Sequence, residues 1–410
     1  MEKLPSPRDG VNSQLTRMTP AFLTEIIRWS KYLHLLSTCR LPEVLPGKKT
    51  MKVWIEVLTP KQALFFEPLC RTLKREGHEA LITTRVYREA EQTLKLKKLR
   101  FSVVGSHGGG TAFGKLTASA ERITQLANLI QRWKPNVAVS FSSVEASRVA
   151  FGLGIPHVAA NDSPHSWMVA RLTIPLTTFL CCPWIIGRSV WKEFGGPLRR
   201  VILYRALDPA AWLKRHRPNH DVLRQLKLKK EQPIVVFRTE EAFASYLMGK
   251  ASDKEPVVGP IIEELLRRGL DCQVVVSTRY GMQAPVMRKR FGERVTVVDR
   301  IIDATSLLSY SSAFVGSGGT MTVEAALLGI PSISCFPGPK PLYIRYLERL
   351  GLVETIRSPQ EISTRVHRML TDPEAFEGQS RSGKQLLAKM EDPVAKILST
   401  IKLAGKERTH

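Results

Sequence analysis

The sequence predicts an α/β protein: two Rossmann-like domains, each a parallel sheet with helices on both faces, set against each other across a cleft. A helical extension precedes them. Three observations carry this reading. From Met51 onward, short β-branched and aromatic runs alternate with segments of helical periodicity, the pattern of repeated βα units. The alternation breaks once, over 204–232, where charge is dense and Pro209 and Pro218 interrupt the chain just before Pro233. It then resumes, and includes a strand, a Gly-rich turn and a small-residue helix over 313–329.

The first series opens with the run Lys52-Val53-Trp54-Ile55-Glu56-Val57-Leu58, read as a strand over 52–58. Further strands are expected at 79–84, 100–104, 136–140, 155–159 and 177–182, with helices at 62–76, 87–98, 116–133, 143–152 and 164–173. In the second series strands are expected at 233–237, 271–277, 294–298, 312–316 and 331–335. Its helices are expected at 257–268, 284–291, 304–310, 320–328 and 341–350, and 359–403 reads as helical. Gly77, Gly154 and Gly269 fall where helix C-termini require a left-handed residue. The domains are therefore expected at 51–204 and 233–375, joined by a basic connection over 205–232 and followed by a C-terminal helix and tail over 376–410. Residues 1–50 fit neither series. Pro20 to Leu36 has helical spacing, and the extension reads equally as a docking helix, a membrane-surface helix or a mistaken start.

The 410 residues suit two domains, and a hydrophobic content of 43% suits real cores. The formal charge of +24 and pI near 10.0 concern partners rather than fold. Ten Lys or Arg against two Asp give Gly195 to Lys230 a net charge of +8. That segment is expected to offer a peripheral contact to anionic membrane. Nucleic acid is not expected as a partner, because no RNA-binding motif appears and no run interleaves aromatics with Arg or Lys. The six cysteines contain no Cys-x-x-Cys pair, which points away from zinc and disulfide frameworks and towards a reducing cytoplasm. The start is polar, with Pro5 and Pro7, and does not read as a signal peptide. The longest apolar stretch, Leu172 to Gly187, is too short and too interrupted by proline to span a bilayer.

The most informative motif is Gly316-Ser317-Gly318-Gly319-Thr320-Met321-Thr322-Val323-Glu324, followed by Ala325-Ala326-Leu327-Leu328-Gly329-Ile330-Pro331. Glycines allow a backbone to approach a ligand closely, and the N-terminus of the following helix favours a phosphate. Glu324, six residues past Gly318, is placed to accept hydrogen bonds from sugar hydroxyls beyond the phosphates. An ordinary strand-to-helix turn with Thr320 as its cap is the plain alternative. In an open α/β sheet ligands bind at the carboxyl ends of the strands. The loops expected there carry Pro60 and Lys61; Gly105-Ser106-His107-Gly108-Gly109-Gly110; Ser142 and Ser143; Asn161-Asp162-Ser163-Pro164-His165; Arg238; and Arg279.

With these residues in view, the C-terminal series resembles GT-B enzymes, both MurG-type N-acetylglucosaminyltransferases and non-hydrolysing UDP-N-acetylglucosamine 2-epimerases. Gly318, Glu324 and Gly329-Ile330-Pro331 match the transferase pattern. Residues from about Met51 to Leu370 resemble a prokaryotic family, domain of unknown function 354. Pro60 with Phe65-Phe66, Gly105 to Gly109, Asp162 to His165, and Gly318 to Gly329 carry that likeness. The chain departs from the family with Glu56 for Asp, Lys61 and Leu64 in a stretch where His is expected, and Asn161 before Asp162.

The resemblance implies a metal-independent glycosyltransferase with a nucleotide-diphosphate sugar as substrate and no cofactor. Ser317, Gly318, Gly319 and Thr320 would hold the diphosphate, Glu324 the ribose, and Arg238 and Arg279 the leaving-group charge. His107, Gly108, Gly109, Pro60, Lys61 and Ser142 would line the substrate side. Asp162 or His165 would deprotonate the hydroxyl of a lipid-linked or glycan acceptor. An epimerase of the same fold would use Glu145 and Asp162 as acid and base. A non-catalytic protein binding nucleotide sugar, RNA or anionic membrane is the third reading.

Overall fold

The computed structural model describes residues 50–407, apart from 197, 241–255, 280 and 318. The expected extension over 1–50, with its helix at 20–36, therefore lies outside the described residues except for Thr50, as does Gly318. The first sheet has seven parallel strands in the order β3-β2-β1-β4-β5-β6-β7. They are β1 (Lys52–Glu56), β2 (Glu79–Val86), β3 (Ser102–Ser106), β4 (Val137–Ser140), β5 (His157–Ala160), β6 (Phe179–Pro183) and β7 (Val201–Tyr204). The second has six parallel strands in the order β10-β9-β8-β11-β12-β13. They are β8 (Ile234–Arg238), β9 (Gln273–Ser277), β10 (Thr296–Val298), β11 (Ala313–Gly316), β12 (Ser332–Ser334) and β13 (Glu354–Thr355).

The expected series is present, with boundaries shifted by up to four residues. Two edge strands escaped the reading, β7 and β13. β13 has two residues, and β7 precedes the charged segment that masks its pattern. An edge strand pairs on one side only, so a short or mixed run suffices.

Sequence explains the central strands. Val53, Trp54 and Ile55 are wholly buried, as are Val235, Val236 and Phe237. Such near-continuous apolar runs belong to parallel sheets covered on both faces. Helix α1 (Pro60–Arg75) starts with Thr59 as its cap, accepting from the Gln62 N–H, and with Pro60 in the first turn. Helices α2 (Arg88–Leu96), α3 (Ala112–Trp133), α4 (Val144–Gly152) and α5 (Trp167–Thr173) follow the next strands.

Residues 205–233 are not a bare linker. They hold α6 (Ala210–Leu213) and α7 (Asp221–Leu226). Ala210, Ala211, Trp212 and Leu213 are all buried. Their cluster also takes in Phe65 and Phe66 of α1 and, from the second domain, Val323, Leu327, Ile344 and Leu347. One apolar core thus runs through the seam between the sheets. The basic residues of this stretch are partly neutralised: Arg215 pairs with Asp392 and Arg224 with Asp221; just before it, Arg200 pairs with Glu407 at 2.9 Å.

The second domain continues with α8 (Val258–Arg267), α9 (Gln283–Phe291), α10 (Ala304–Ser309), α11 (Thr320–Leu328), α12 (Leu342–Arg349), α13 (Pro359–Thr371) and α14 (Glu377–Lys389). The last helix, α15 (Pro393–Glu407), returns to the first sheet. It buries Val394, Ile397, Leu398, Ile401 and Ala404, a stripe with helical spacing. This return, with the shared core, packs the two sheets together, and a cleft opens between their carboxyl ends.

Candidate functional site

The cleft encloses about 1080 Å³, counting its open mouth. From the first domain Pro60, Lys61, Leu64, Tyr87 and Arg88 line it; from the second come Arg238, Arg279, Thr320, Met321 and Glu324. A recess of about 340 Å³ adjoins it and is lined by Lys61, Asp162, Asp208, Thr320 and Tyr343, among others. Lys61 and Thr320 line both.

The chemistry of the first domain centres on Lys61. Its Nζ donates to Asp162 Oδ2 at 2.5 Å and pairs with Asp208 Oδ2 at 2.7 Å. It also lies over the Phe141 ring, 4.3 Å from the centroid. Lys61 comes from the first turn of α1, Asp162 from the loop after β5, and Asp208 from the turn between β7 and α6. Three strand ends therefore converge. The Ser163 hydroxyl donates to Asp162 Oδ1 at 2.8 Å, and the Tyr204 hydroxyl to Asp208 Oδ1 at 2.6 Å. Asp208 Oδ2 is buried yet makes no aligned hydrogen bond.

The two carboxyls differ. Burial pushes Asp208 up to about 7, opposed by Lys61 and reinforced by the charge of Asp162. Burial acts on Asp162 too, but the charge of Lys61 together with hydrogen bonds from Lys61 and Ser163 outweighs it and holds Asp162 below the usual range. Lys61 is likewise disfavoured by burial, yet its two carboxylate partners raise its pKa. Near neutral pH one carboxyl is thus a base while its neighbour still carries a proton for part of the time.

On the other wall, Arg238 closes β8. Its guanidinium donates to Ser277 Oγ at 2.7 Å and to the Thr278 carbonyl at 2.9 Å. The Arg279 backbone N–H is shared between Thr239 Oγ1 and Gln283 Oε1, both at 2.9 Å. Glu324 lies one turn into α11 and is buried. Its Oε2 accepts from Thr305 Oγ1 at 3.0 Å and from Trp212 Nε1 at 3.2 Å. Burial pushes its carboxyl up to about 7. Gly319 lets the Tyr343 side chain lie against the loop: a Cβ there would stand 2.2 Å from the Tyr343 hydroxyl.

The expected site residues separate into groups. Pro60, Lys61, Asp162, Arg238, Arg279, Thr320 and Glu324 line the cleft or its recess. His107 stands one layer out, stacked on Tyr87 with ring centroids 5.4 Å apart. Burial, then Arg85 and Lys115, lowers its pKa. Gly108 and Gly109 have φ of +75° and +73°, and a Cβ on Gly108 would meet the Gly114 carbonyl at 2.4 Å. They shape the β3–α3 turn. Ser317 is wholly buried, so its side chain is not presented to the cleft. Gly318 is outside the described residues. Ser142 has φ of +51°, and its hydroxyl donates to the Ala160 carbonyl at 3.0 Å while accepting from Asn161 Nδ2 at 2.8 Å. It braces two loops, which also accounts for Asn161 before Asp162.

His165 is exposed; partial desolvation of its ring, with Lys61, lowers its pKa despite the attraction of Asp162. It is not among the residues lining the cleft or the recess. Glu145 is redirected inward, contrary to the role sketched for it. It is buried, accepts from Ser143 Oγ at 3.1 Å and lies 3.8 Å from Arg122 Nη1. Arg122 in turn pairs with Glu56, both at 0% side-chain exposure. Asp208, Tyr204 and Trp212 were missed by sequence reading. The lone signal was an acid and a tryptophan within an otherwise basic stretch.

Comparison with known proteins places the family and the fold. A profile of the family described as Protein of unknown function (DUF354) matches residues 51–402, and the chain belongs to that family. An uncharacterized protein of Methanocaldococcus jannaschii, MJ0665, is 34% identical over 292 residues, covering 70% of this chain and 82% of the relative. The solved UDP-GlcNAc 2-epimerase of Neisseria meningitidis, bound to UDP-GlcNAc, superposes with a TM-score of 0.60 at 16% identity, over 86% of this chain and 100% of that one. The glycosyltransferase SnogD of Streptomyces nogalater superposes at 0.55 and 16%, over 87% and 100%. At such identities the structures establish the fold, GT-B, which both enzyme classes share.

Proposed function

We propose that this protein is a nucleotide-sugar-dependent glycosyltransferase. One observation carries the reading: the cleft sets cationic Arg238 and Arg279 and the start of α11 on one wall opposite the Lys61–Asp162–Asp208 cluster on the other. The first wall suits a diphosphate, since helix N-termini and arginines attract phosphate oxygens. Glu324 beyond it suits a ribose hydroxyl. The second wall suits a proton transfer, with Asp162 as base towards an acceptor hydroxyl and Lys61 steadying its charge. Carrying leaving-group charge on arginines and backbone donors asks nothing of a metal ion, so binding and turnover are expected to survive EDTA. The matched structures with nucleotide-sugar ligands support the substrate class and leave the acceptor, lipid-linked or glycan, open.

The paired carboxyls favour a second reading, epimerisation, because one base and one neighbouring acid around a single sugar can invert a carbon. Incubation in heavy water with nucleotide sugar alone separates the two. The transferase reading expects no label and a requirement for an acceptor. Deuterium at the inverted carbon overturns it.

A further inference from the structure

Helix α5 is built the wrong way round for a core helix. Ala170 and Thr173 face inward and are buried, whereas Trp167, Met168 and Leu172 are 54%, 55% and 56% exposed. Phe151, at the end of the adjacent α4, is 60% exposed. Burying the small residues and exposing the large ones costs apolar burial, so the outward face is not explained by folding. Clustered exposed apolar side chains of this size mark a contact surface.

The charge around this face is one-sided. Between Val144 and Phe194, Arg148, Arg171, Arg188 and Lys192 are exposed, against Glu193 as the single exposed acid. The other acids of the stretch are taken inward: Glu145 beside Arg122, and Asp162 on Lys61. Arg171 lies over the Trp167 ring, 5.5 Å from its centroid. A tryptophan with aliphatic neighbours on a short helix, rimmed by arginines, is the chemistry of a headgroup interface rather than of a protein groove. On the first turn of α3, Phe113 and Leu116 are also exposed, at 76% and 68%. This turn follows β3 and α5 follows β5, so both rise from the carboxyl edge of the same parallel sheet.

We infer that the outer face of α5 docks on an anionic phospholipid bilayer, with Trp167, Met168 and Leu172 entering the headgroup region and Arg148 and Arg171 meeting lipid phosphates. The inference is independent of the glycosyl-transfer reading and differs from the expectation that placed membrane contact on 195–230. Docking there brings the loop bearing Asp162 and His165, which leads directly into α5, to the bilayer surface.

The test is co-sedimentation of the full chain with vesicles of phosphatidylglycerol and phosphatidylcholine, against phosphatidylcholine alone. The expected result is binding to the anionic vesicles that weakens with salt. It should fall at least ~10-fold in the triple variant Trp167→Ser, Met168→Ser, Leu172→Ser, and also in Arg148→Glu, Arg171→Glu. These positions are exposed, and a thermal melt matching the parent confirms that each variant folds. Absence of binding by the parent overturns the inference. So does unchanged binding by the triple variant, which assigns the contact to another basic surface. A parent dimer that the triple variant converts to monomer, without vesicle binding by either, overturns it in favour of a second copy covering the face.

Discussion

Two charged clusters sit at the carboxyl ends of the first sheet, and they have opposite fates. In one, Glu56 and Arg122 are sealed, with Glu145 at the rim: Arg122 and Glu56 have no side-chain exposure, and Glu56 also accepts from Thr83, whose hydroxyl accepts from Trp54 Nε1 at 2.7 Å. In the other, Lys61 and Asp162 keep 21% and 13% of their side-chain surface and line a recess at the domain seam. Both contain two acids and one base. Sealing makes the first an internal brace, since a buried ion pair cannot exchange protons with a substrate it never meets. The opening leaves the second within reach of a ligand, which is what the proposed proton transfer requires. Residue type does not separate an accessible carboxylate from a sealed one; packing does.

The comparison is broken most directly at Asp162. Asp162→Asn is expected to keep nucleotide-sugar affinity while losing about 10²–10⁴ of turnover, as removal of a general base does. Calorimetry and a coupled release assay report the two separately, and an equal loss in both would make Asp162 a binding residue. At the sealed cluster the expected loss is in folding. Arg122→Ala leaves two buried carboxylates uncompensated and should cost about 3–5 kcal/mol. Urea unfolding measures this, and a cost under ~1 kcal/mol would show that the cluster is not closed to water.

Across the cleft, Glu324→Ala should weaken nucleotide-sugar binding by about 1.5–3 kcal/mol, the worth of a hydrogen bond to a charged group. The same change at exposed Glu374 serves as control, and equal affinities would remove Glu324 from the site. A pH dependence sharpens the comparison further. Asp208 has a folded pKa of about 7, above its unfolded value, so the folded state holds the extra proton. Its contribution to stability is therefore lost as pH rises from about 4 to 7. Asp208→Asn carries no such titration and should gain stability relative to the parent over that window. Denaturation midpoints that shift in parallel at every pH would show that Asp208 titrates normally.

Much of this architecture was legible along the chain because it rests on local periodicity. The buried runs at β1 and β8, the cap at Thr59 and the glycine turn before α11 each express their structure within a few residues. Pro60, Arg238, Thr320 and Glu324 were legible for the same reason, since parallel sheets deliver the loops after their strands to one edge. Lys61 was read as a substrate-side loop residue and as a departure from its family, without its carboxylate partners. Its meaning depends on Asp162 and Asp208, 101 and 147 residues away, and no local pattern records such a meeting. Asp208 and Trp212 were hidden by the charge around them, and Glu145, five residues past β4, looked as accessible as Asp162. Periodicity determines which loops reach the ligand edge. Burial, set by what packs over each loop, decides which of their charges stay open to chemistry, and that is a property of the tertiary structure alone.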